Sequence, residues 1–149
     1  MKILLAVDDS KSSVAAVSLL IAQAKTKGTE VRLLHVVEPF PVIAAQKKGS
    51  KESPDFVAAR LEQRERAKEL LARAAERLRS AGFKVSFSVE EGDARSIILE
   101  HAETWNADLI VVGSHGRKGL SRFLMGSVSE AVARHARCSV EIVRIRSAK

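Results

Sequence analysis

Three glycines and a serine follow one apolar run, and their types and spacing suit the binding of an anion. The run, Leu109–Val112, predicts a strand buried on both faces. Glycine lets the backbone approach an oxygen because no Cβ stands in the way. A serine followed three residues later by Glu130 has the pattern of a capping box, which predicts a helix starting at that serine. The first N–H groups of a helix attract negative charge, so the stretch predicts a phosphate-binding turn. The four residues are Gly113, Gly116, Gly126 and Ser127.

The spacing excludes two common phosphate-binding motifs. A Walker loop needs G-x-x-x-x-G-K-[ST], and no lysine follows a glycine here with that spacing. A dinucleotide fingerprint needs G-x-G-x-x-G, whereas Gly113, Gly116 and Gly119 are three residues apart throughout. The simpler alternative is that these glycines only make a tight turn after the strand.

The rest of the chain alternates strands and helices around this stretch. This alternation predicts one doubly wound α/β domain over residues 1–149, with a five-stranded, mostly parallel sheet and helices on both faces. The second helix is expected to turn Leu61, Leu71, Ala74 and Leu78 inward. The segment from Glu38 to Lys51 is either a lid near a ligand or a flexible connection. The other predicted strands are Lys2–Val7, Val31–Val37, Phe83–Val89 and Ser139–Ile145, and the other predicted helices follow Ser10, Ser53-Pro54 and Gly92-Asp93.

The pattern G-x2-G-x9-G-S at Gly113, Gly116, Gly126 and Ser127 resembles the nucleotide-binding signature of the universal stress protein family, in its ATP-binding branch. The resemblance covers essentially the whole chain and implies the strand order 3-2-1-4-5. Strands one and four are then neighbours whose connections leave in opposite directions. Ligands in open α/β sheets bind at the carboxyl ends of the strands at such a switch point, so Asp8 is expected beside Gly113.

The resemblance also implies roles for individual residues. Ala6, Val7 and Asp8 are expected around the adenosine part of the ligand, and the backbone of Val36 is expected to meet the adenine. Gly113 and Gly116 are expected around the ribose and phosphates, with Arg117 as an added positive charge. The phosphates are expected against the turn of Gly126, Ser127 and Val128. Without the resemblance, Asp8 is as readily a turn residue, and Ser127 is only a helix cap.

Composition limits the classes of partner. Net charge is +7 with a pI near 9.9, but acidic and basic residues alternate along the helices and aromatic residues are only 4%. We therefore expect no nucleic-acid partner. No apolar run approaches the roughly 20 residues of a membrane helix, so no membrane association is expected either. The single Cys138 cannot form an internal disulfide and favours a core role and a cytoplasmic location. The four histidines lack metal-ligand spacing, and His115 is the one to test.

Three functional hypotheses stay open. The first is an ATP-binding stress-response sensor or switch that holds ATP, AMP or ADP and hydrolyses ATP slowly or not at all, with any Mg²⁺ held mostly by the phosphates. The second is a magnesium-dependent ATPase. The third is a scaffold whose basic surface binds another partner, nucleic acid included.

The resemblance implies a homodimer, and the last strand offers a physical route to it. Residues 139–145 alternate in polarity, and an edge strand leaves peptide groups that a second copy can pair with. We expect two copies to pair antiparallel through this segment.

Overall fold

A five-stranded sheet with all strands parallel forms the centre of the computed structural model, which describes residues 1–39, 54–115 and 125–145. The strand order is β3-β2-β1-β4-β5. The predicted fold and strand order are therefore confirmed, with the sheet wholly rather than mostly parallel. The elements are β1 (Lys2–Ala6), α1 (Lys11–Gln23), β2 (Glu30–Val37), α2 (Pro54–Ser80), β3 (Lys84–Glu91), α3 (Ala94–Trp105), β4 (Leu109–Gly113), α4 (Ser127–His135) and β5 (Ser139–Val143).

The sheet separates two apolar layers. Side chains of alternate residues point to opposite faces, so Leu5 of β1 packs with Leu20 of α1 and Leu71 of α2 on one face. On the other face, Leu4 packs with Ile98 of α3 and Val132 of α4. β1 lies in the middle and is buried on both faces, which explains its continuous apolar sequence. β3 lies at one edge and alternates in polarity, as the sequence predicts.

The long helix α2 packs on the sheet only through its second half. Its buried residues begin at Ala67, and the first half carries none. The prediction that Leu61 faces inward is wrong, because its side chain is 60% exposed on the part of α2 that precedes the core contacts. The inward positions of Leu71, Ala74 and Leu78 are confirmed.

The third helix has the cap that the sequence predicts. Asp93 is its N-cap, and a carboxylate oxygen of Asp93 accepts from the Ser96 N–H at 3.2 Å and from the Ser96 hydroxyl at 2.8 Å. These bonds from Ser96 lower the pKa of the Asp93 carboxyl.

Cys138 packs beside the second apolar layer, and burial raises the pKa of its thiol, as expected for a structural cysteine.

The prediction of a capping box at Ser127 is wrong. The predicted start of a helix at Ser127 is confirmed, but the N-cap of α4 is Gly126, and no side chain caps it. Ser127 is thus the first helical residue, and Glu130 lies one position too far along to complete the box. The reason is tertiary, because the Gly126 N–H is bonded to Ser114 O at 2.8 Å and this bond fixes where the helix begins.

Several predicted boundaries shift by one or two residues. β1 ends at Ala6 rather than Val7, and β5 ends at Val143 rather than Ile145. Most of the segment proposed as a lid, residues 40–51, lies outside the described residues. In the part of the chain that the structure describes, no helix is both long enough and apolar enough to cross a membrane.

Helix α1 and the end of β4 touch at one glycine. A Cβ added to Gly113 would lie 3.0 Å from the Cβ of Ser12 and nearer still to its hydroxyl. Ser12 is only 4% exposed, so it has little space in which to move away. Gly113 is therefore required for packing, whatever else it contacts.

We predict that Gly113→Ala lowers the free energy of unfolding by about 1–3 kcal/mol through overpacking. Urea denaturation of the variant and the parent measures this difference. Adding Ser12→Gly to Gly113→Ala should recover part of the loss, because it removes the side chain that the new methyl group meets. A Gly113→Ala protein as stable as the parent would contradict the close approach of α1 to β4.

Candidate functional site

The carboxyl ends of β1 and β4 lie side by side, and their connections leave on opposite faces of the sheet. β1 leads into α1 on one face, and β4 leads toward α4 on the other. The two connections bond to each other, since the Ser12 hydroxyl donates to His115 O at 2.5 Å. Residues about a hundred positions apart thus meet at a topological switch point, which we call the crevice.

The connection after β1 is held by short side chains. The Asp8 N–H donates to Ser13 Oγ at 2.9 Å, and Asp8 Oδ1 accepts from the Ser10 N–H at 2.8 Å. Ser10 is the N-cap of α1 and accepts from the Ser13 N–H. Asp8 is half-buried and has one carboxylate oxygen in a turn, so its turn role is present whether or not it also meets a ligand.

Hydrogen bonds join the two ends of the connection between β4 and α4. The Gly126 N–H and the Ser129 hydroxyl both donate to Ser114 O, at 2.8 and 3.1 Å. The Ser114 N–H donates to Val143 O at 2.8 Å, which ties the base to β5. A Cβ on Gly126 would lie 2.9 Å from Ser114 O, so glycine is needed here for this contact. Residues 114 and 126 are therefore neighbours in space.

The start of α4 presents peptide N–H groups beside this closure. The N–H groups of Ser127, Val128 and Ser129 lie in the first turn, where no helical carbonyl can accept them, and the Gly126 cap has no side chain to do so. The Ser127 side chain is exposed, whereas Val128 packs partly against the apolar layer under α4. Glu130, also in this turn, forms an ion pair with Arg134 at 3.2 Å. The turn can therefore bind an anion without direct competition from an unpaired carboxylate.

β2 continues past the end of its pairing with β1, and we call the unpaired β1 side of β2 beyond Leu34 the gap. The pairing of β1 with β2 ends at Ala6 and Leu34. The Val7 N–H still donates to Leu34 O at 2.9 Å, but Val7 O lies 2.6 Å from Nδ1 of His35. The Val7 side chain is 5% exposed and lies in the core on the α1 side. Both peptide groups of Val7 are thus occupied within the protein.

The peptide groups of Val36 face this gap. In a parallel strand the N–H and C=O of one residue point to one neighbouring strand, and those of the next residue point to the other. Leu34 O bonds toward β1 and Val37 O bonds toward β3, through Gly92 N–H at 3.0 Å. Val36, two residues after Leu34, therefore directs its N–H and C=O to the β1 side, past the last pair of the ladder. The side chains of Ala6 and Val36 are both half-buried on the α3 and α4 face.

The predicted site residues thus divide into three groups. Gly116 and Arg117 lie outside the described residues. Ala6, Asp8, Val36, Gly126, Ser127 and Val128 lie around the crevice, and Gly113 and Val7 lie beside it in packing roles. The sequence analysis missed the buried serines that hold the two connections together, and the run Ser10 to Ser13 directly after a buried strand was the available signal. Those serines are Ser12, Ser13, Ser114 and Ser129.

Histidines and acidic residues do not form a metal site in the described ranges. No group of three or more potential ligands is found over residues 1–39, 54–115 and 125–145. His35 bonds a carbonyl, and Nδ1 of His115 lies 3.2 Å from the Ser114 hydroxyl.

Comparison with known proteins agrees with this geometry. Residues 1–144 match the model of the Universal stress protein family. The chain is 34% identical to universal stress protein MJ0531 of Methanocaldococcus jannaschii over 143 residues, covering 96% of this chain and 81% of the relative.

Two solved structures share the fold. The structure of hypothetical protein MJ0577 superposes with a TM-score of 0.83 at 28% identity and covers 99% of this chain and 97% of its own. A universal stress protein family protein from Arabidopsis thaliana with AMP bound has a TM-score of 0.68 at 21% identity, covering 99% and 93%. With the matching family model, the switch-point crevice and the strand order, the chain belongs to the universal stress protein family.

Proposed function

We propose that the protein binds an adenine nucleotide, with ATP as the ligand, in the crevice between β1, β2 and β4. The observation that carries the proposal is the pairing of two features at one edge of the sheet. The peptide groups of Val36 face a gap suited to a base, and the first turn of α4 offers N–H groups suited to phosphates. AMP is bound by a protein of the same fold, which agrees with this choice of ligand.

The base is assigned to the gap beside Val36. Val36 supplies its N–H as a donor and its C=O as an acceptor there. Adenine carries the complementary pair, since its N1 accepts a hydrogen bond and its 6-amino group donates one. Guanine presents the opposite pair at these two positions. Guanine would set donor against donor and acceptor against acceptor at Val36, which leaves these groups unpaired. We therefore expect the site to prefer adenine to guanine. Ala6 precedes the end of the ladder on the β1 side, and we assign the Asp8 carboxylate to the ribose.

The phosphates are assigned to the first turn of α4. The N–H groups of Ser127, Val128 and Ser129 point beyond the N-terminal end of α4, and the helix dipole favours negative charge at that end. The exposed Ser127 hydroxyl adds one more donor. Gly116 belongs to this proposal through the sequence signature alone, and Arg117 belongs to it only as the positive charge that follows Gly116 in the sequence. The net charge of +7 favours association with an anionic ligand.

We predict that Ser127→Asp weakens ATP binding by about tenfold or more, because a carboxylate would repel the phosphates and remove a donor. The fold should persist, since an acidic residue in the first turn of a helix is favourable. Calorimetric titration with ATP, AMP, adenosine and GTP measures the change. The loss should be larger for ATP than for adenosine.

Ser80→Asp supplies a matched control for Ser127→Asp. It makes the same charge change at the exposed C-terminus of α2, away from the crevice, and should bind ATP as the parent does. Equal ATP affinity in Ser127→Asp and the parent would exclude α4 as the phosphate site. A parent protein that binds none of these ligands would remove the proposed function altogether. Gly126→Val is the poorer test, because its side chain would meet Ser114 O even without a ligand.

We further propose that ATP acts as a conformational ligand and is turned over slowly or not at all. Hydrolysis requires a positioned water and stabilisation of the charge that develops on the phosphates. Asp8 has one oxygen committed to the Ser10 N–H, and Ser12 and Ser129 direct their hydroxyls to carbonyls within the protein. These groups stabilise the connections instead of orienting a water molecule.

Phosphate release in the presence of Mg²⁺ tests this proposal about turnover. We predict a rate well below about 1 per second, the lower end of the usual range for enzymes. A faster rate that depends on Mg²⁺ and falls in Ser127→Asp would instead identify an ATPase that works at this site.

We also propose a homodimer formed through β5 in the cytoplasm. β5 is an edge strand, and its outer peptide groups need partners.

We predict a dimer by light scattering of the parent protein. Val140→Pro should shift the mass to the monomer, because proline removes an N–H from the strand and is poorly accommodated within a paired sheet. A monomeric parent, or a Val140→Pro dimer, would contradict pairing through β5.

A further inference from the structure

We infer that His35 is a positioning residue that keeps the Val36 peptide groups available for a ligand. His35 does so by donating to Val7 O, so that this buried carbonyl has a partner without the Val36 N–H, which makes no bond to it in the described structure. The identity of that ligand as an adenine base rests on the proposed function, whereas the effect of His35 on Val36 does not.

The first step is the hydrogen bond that ends the ladder. The last bond between β1 and β2 runs from the Val7 N–H to Leu34 O at 2.9 Å. If the parallel pattern continued, the next bond would run from the Val36 N–H to Val7 O. In the structure, Nδ1 of His35 lies 2.6 Å from Val7 O. A carbonyl oxygen can only accept, so Nδ1 carries the hydrogen and donates it.

The second step concerns the Val36 carbonyl. In a continued ladder it would accept an N–H from residue 9. The chain turns away first, because the Asp8 N–H is bonded to Ser13 Oγ and the Ser10 N–H to Asp8 Oδ1. The turn therefore removes the partner of the Val36 C=O, and His35 satisfies Val7 O in place of the Val36 N–H. Both groups remain directed into the gap.

The third step is the role of the imidazole as a substitute donor. Val7 is buried, and a buried carbonyl without a hydrogen bond is unfavourable. If the His35 donor were removed, the nearest replacement would be the Val36 N–H. The ladder would then extend by one bond, and the donor assigned to adenine N1 would be lost.

Two substitutions of His35 distinguish the effect of its hydrogen-bond donor from the effect of its size. Asn places its amide nitrogen at the same number of bonds from the backbone as Nδ1, so His35→Asn keeps a donor for Val7 O. His35→Leu fills the space without a donor. A residue that serves only to fill space would tolerate Leu better than Asn, and the inference predicts the reverse for ligand binding.

Amide hydrogen exchange of the protein without nucleotide tests the inference directly. In the parent, the Val36 amide should exchange about tenfold or more faster than the Leu34 amide, which lies within the ladder. The Val36 amide should become protected in His35→Leu and stay fast in His35→Asn. A Val36 amide as slow as that of Leu34 in the parent would overturn the inference, and this comparison needs no variant.

Titration of ATP and GTP supplies the functional measurement. His35→Leu should lose about tenfold in ATP affinity, the usual effect of one hydrogen bond to a base, while GTP binding changes less. His35→Asn should retain the preference of the parent. A folded His35→Leu protein with unchanged preference would overturn the inference. Absence of ATP binding by the parent would instead reject the proposed function, with the exchange comparison still deciding whether His35 acts on Val36.

Discussion

The structure depends on how a parallel sheet ends. Peptide groups of central strands bond to a neighbour on each side, and where a strand stops, those groups need other partners. β1 stops pairing with β4 at Leu5 and with β2 at Ala6, while β2 and β4 continue beyond these points. β1 therefore ends before either neighbouring strand does. The crevice is a consequence of where the three strands end.

Short hydroxyl side chains replace the missing ladder on the β4 side. Ser12, Ser13, Ser114 and Ser129 are all buried, and the side chain of each forms a hydrogen bond at the base of a connection. The Ser12 hydroxyl joins the two connections by donating to His115 O. Serine suits this position because it is small enough for two backbones to approach and still provides a donor and an acceptor. The same closeness explains why Gly113 and Gly126 are glycines without a left-handed backbone. Packing alone thus accounts for the glycines at these two positions.

Much of the fold could be predicted from local sequence, because burial determines the pattern of each strand. The continuous apolar runs of β1 and β4 mark central strands, and the alternation in β3 marks an edge. The strand order could not be obtained this way and came from the family resemblance. The capping residue of α4, the exposure of Leu61 and the reason for Gly113 were also beyond reach. Each depends on a contact between residues distant in the chain, and serine-to-glutamate spacing or helical periodicity carries no information about such contacts.

The closure of residues 114 and 126 has a consequence for how this protein can change during evolution. Ser114 O holds both the Gly126 N–H and the Ser129 hydroxyl, so the two ends of the connection are fixed by bonds outside the segment between them. Once the ends are fixed, doubling the length of such a segment costs only about 0.6 kcal/mol in chain entropy. We therefore expect the length of this connection to vary more readily among relatives than the bonds at its two ends.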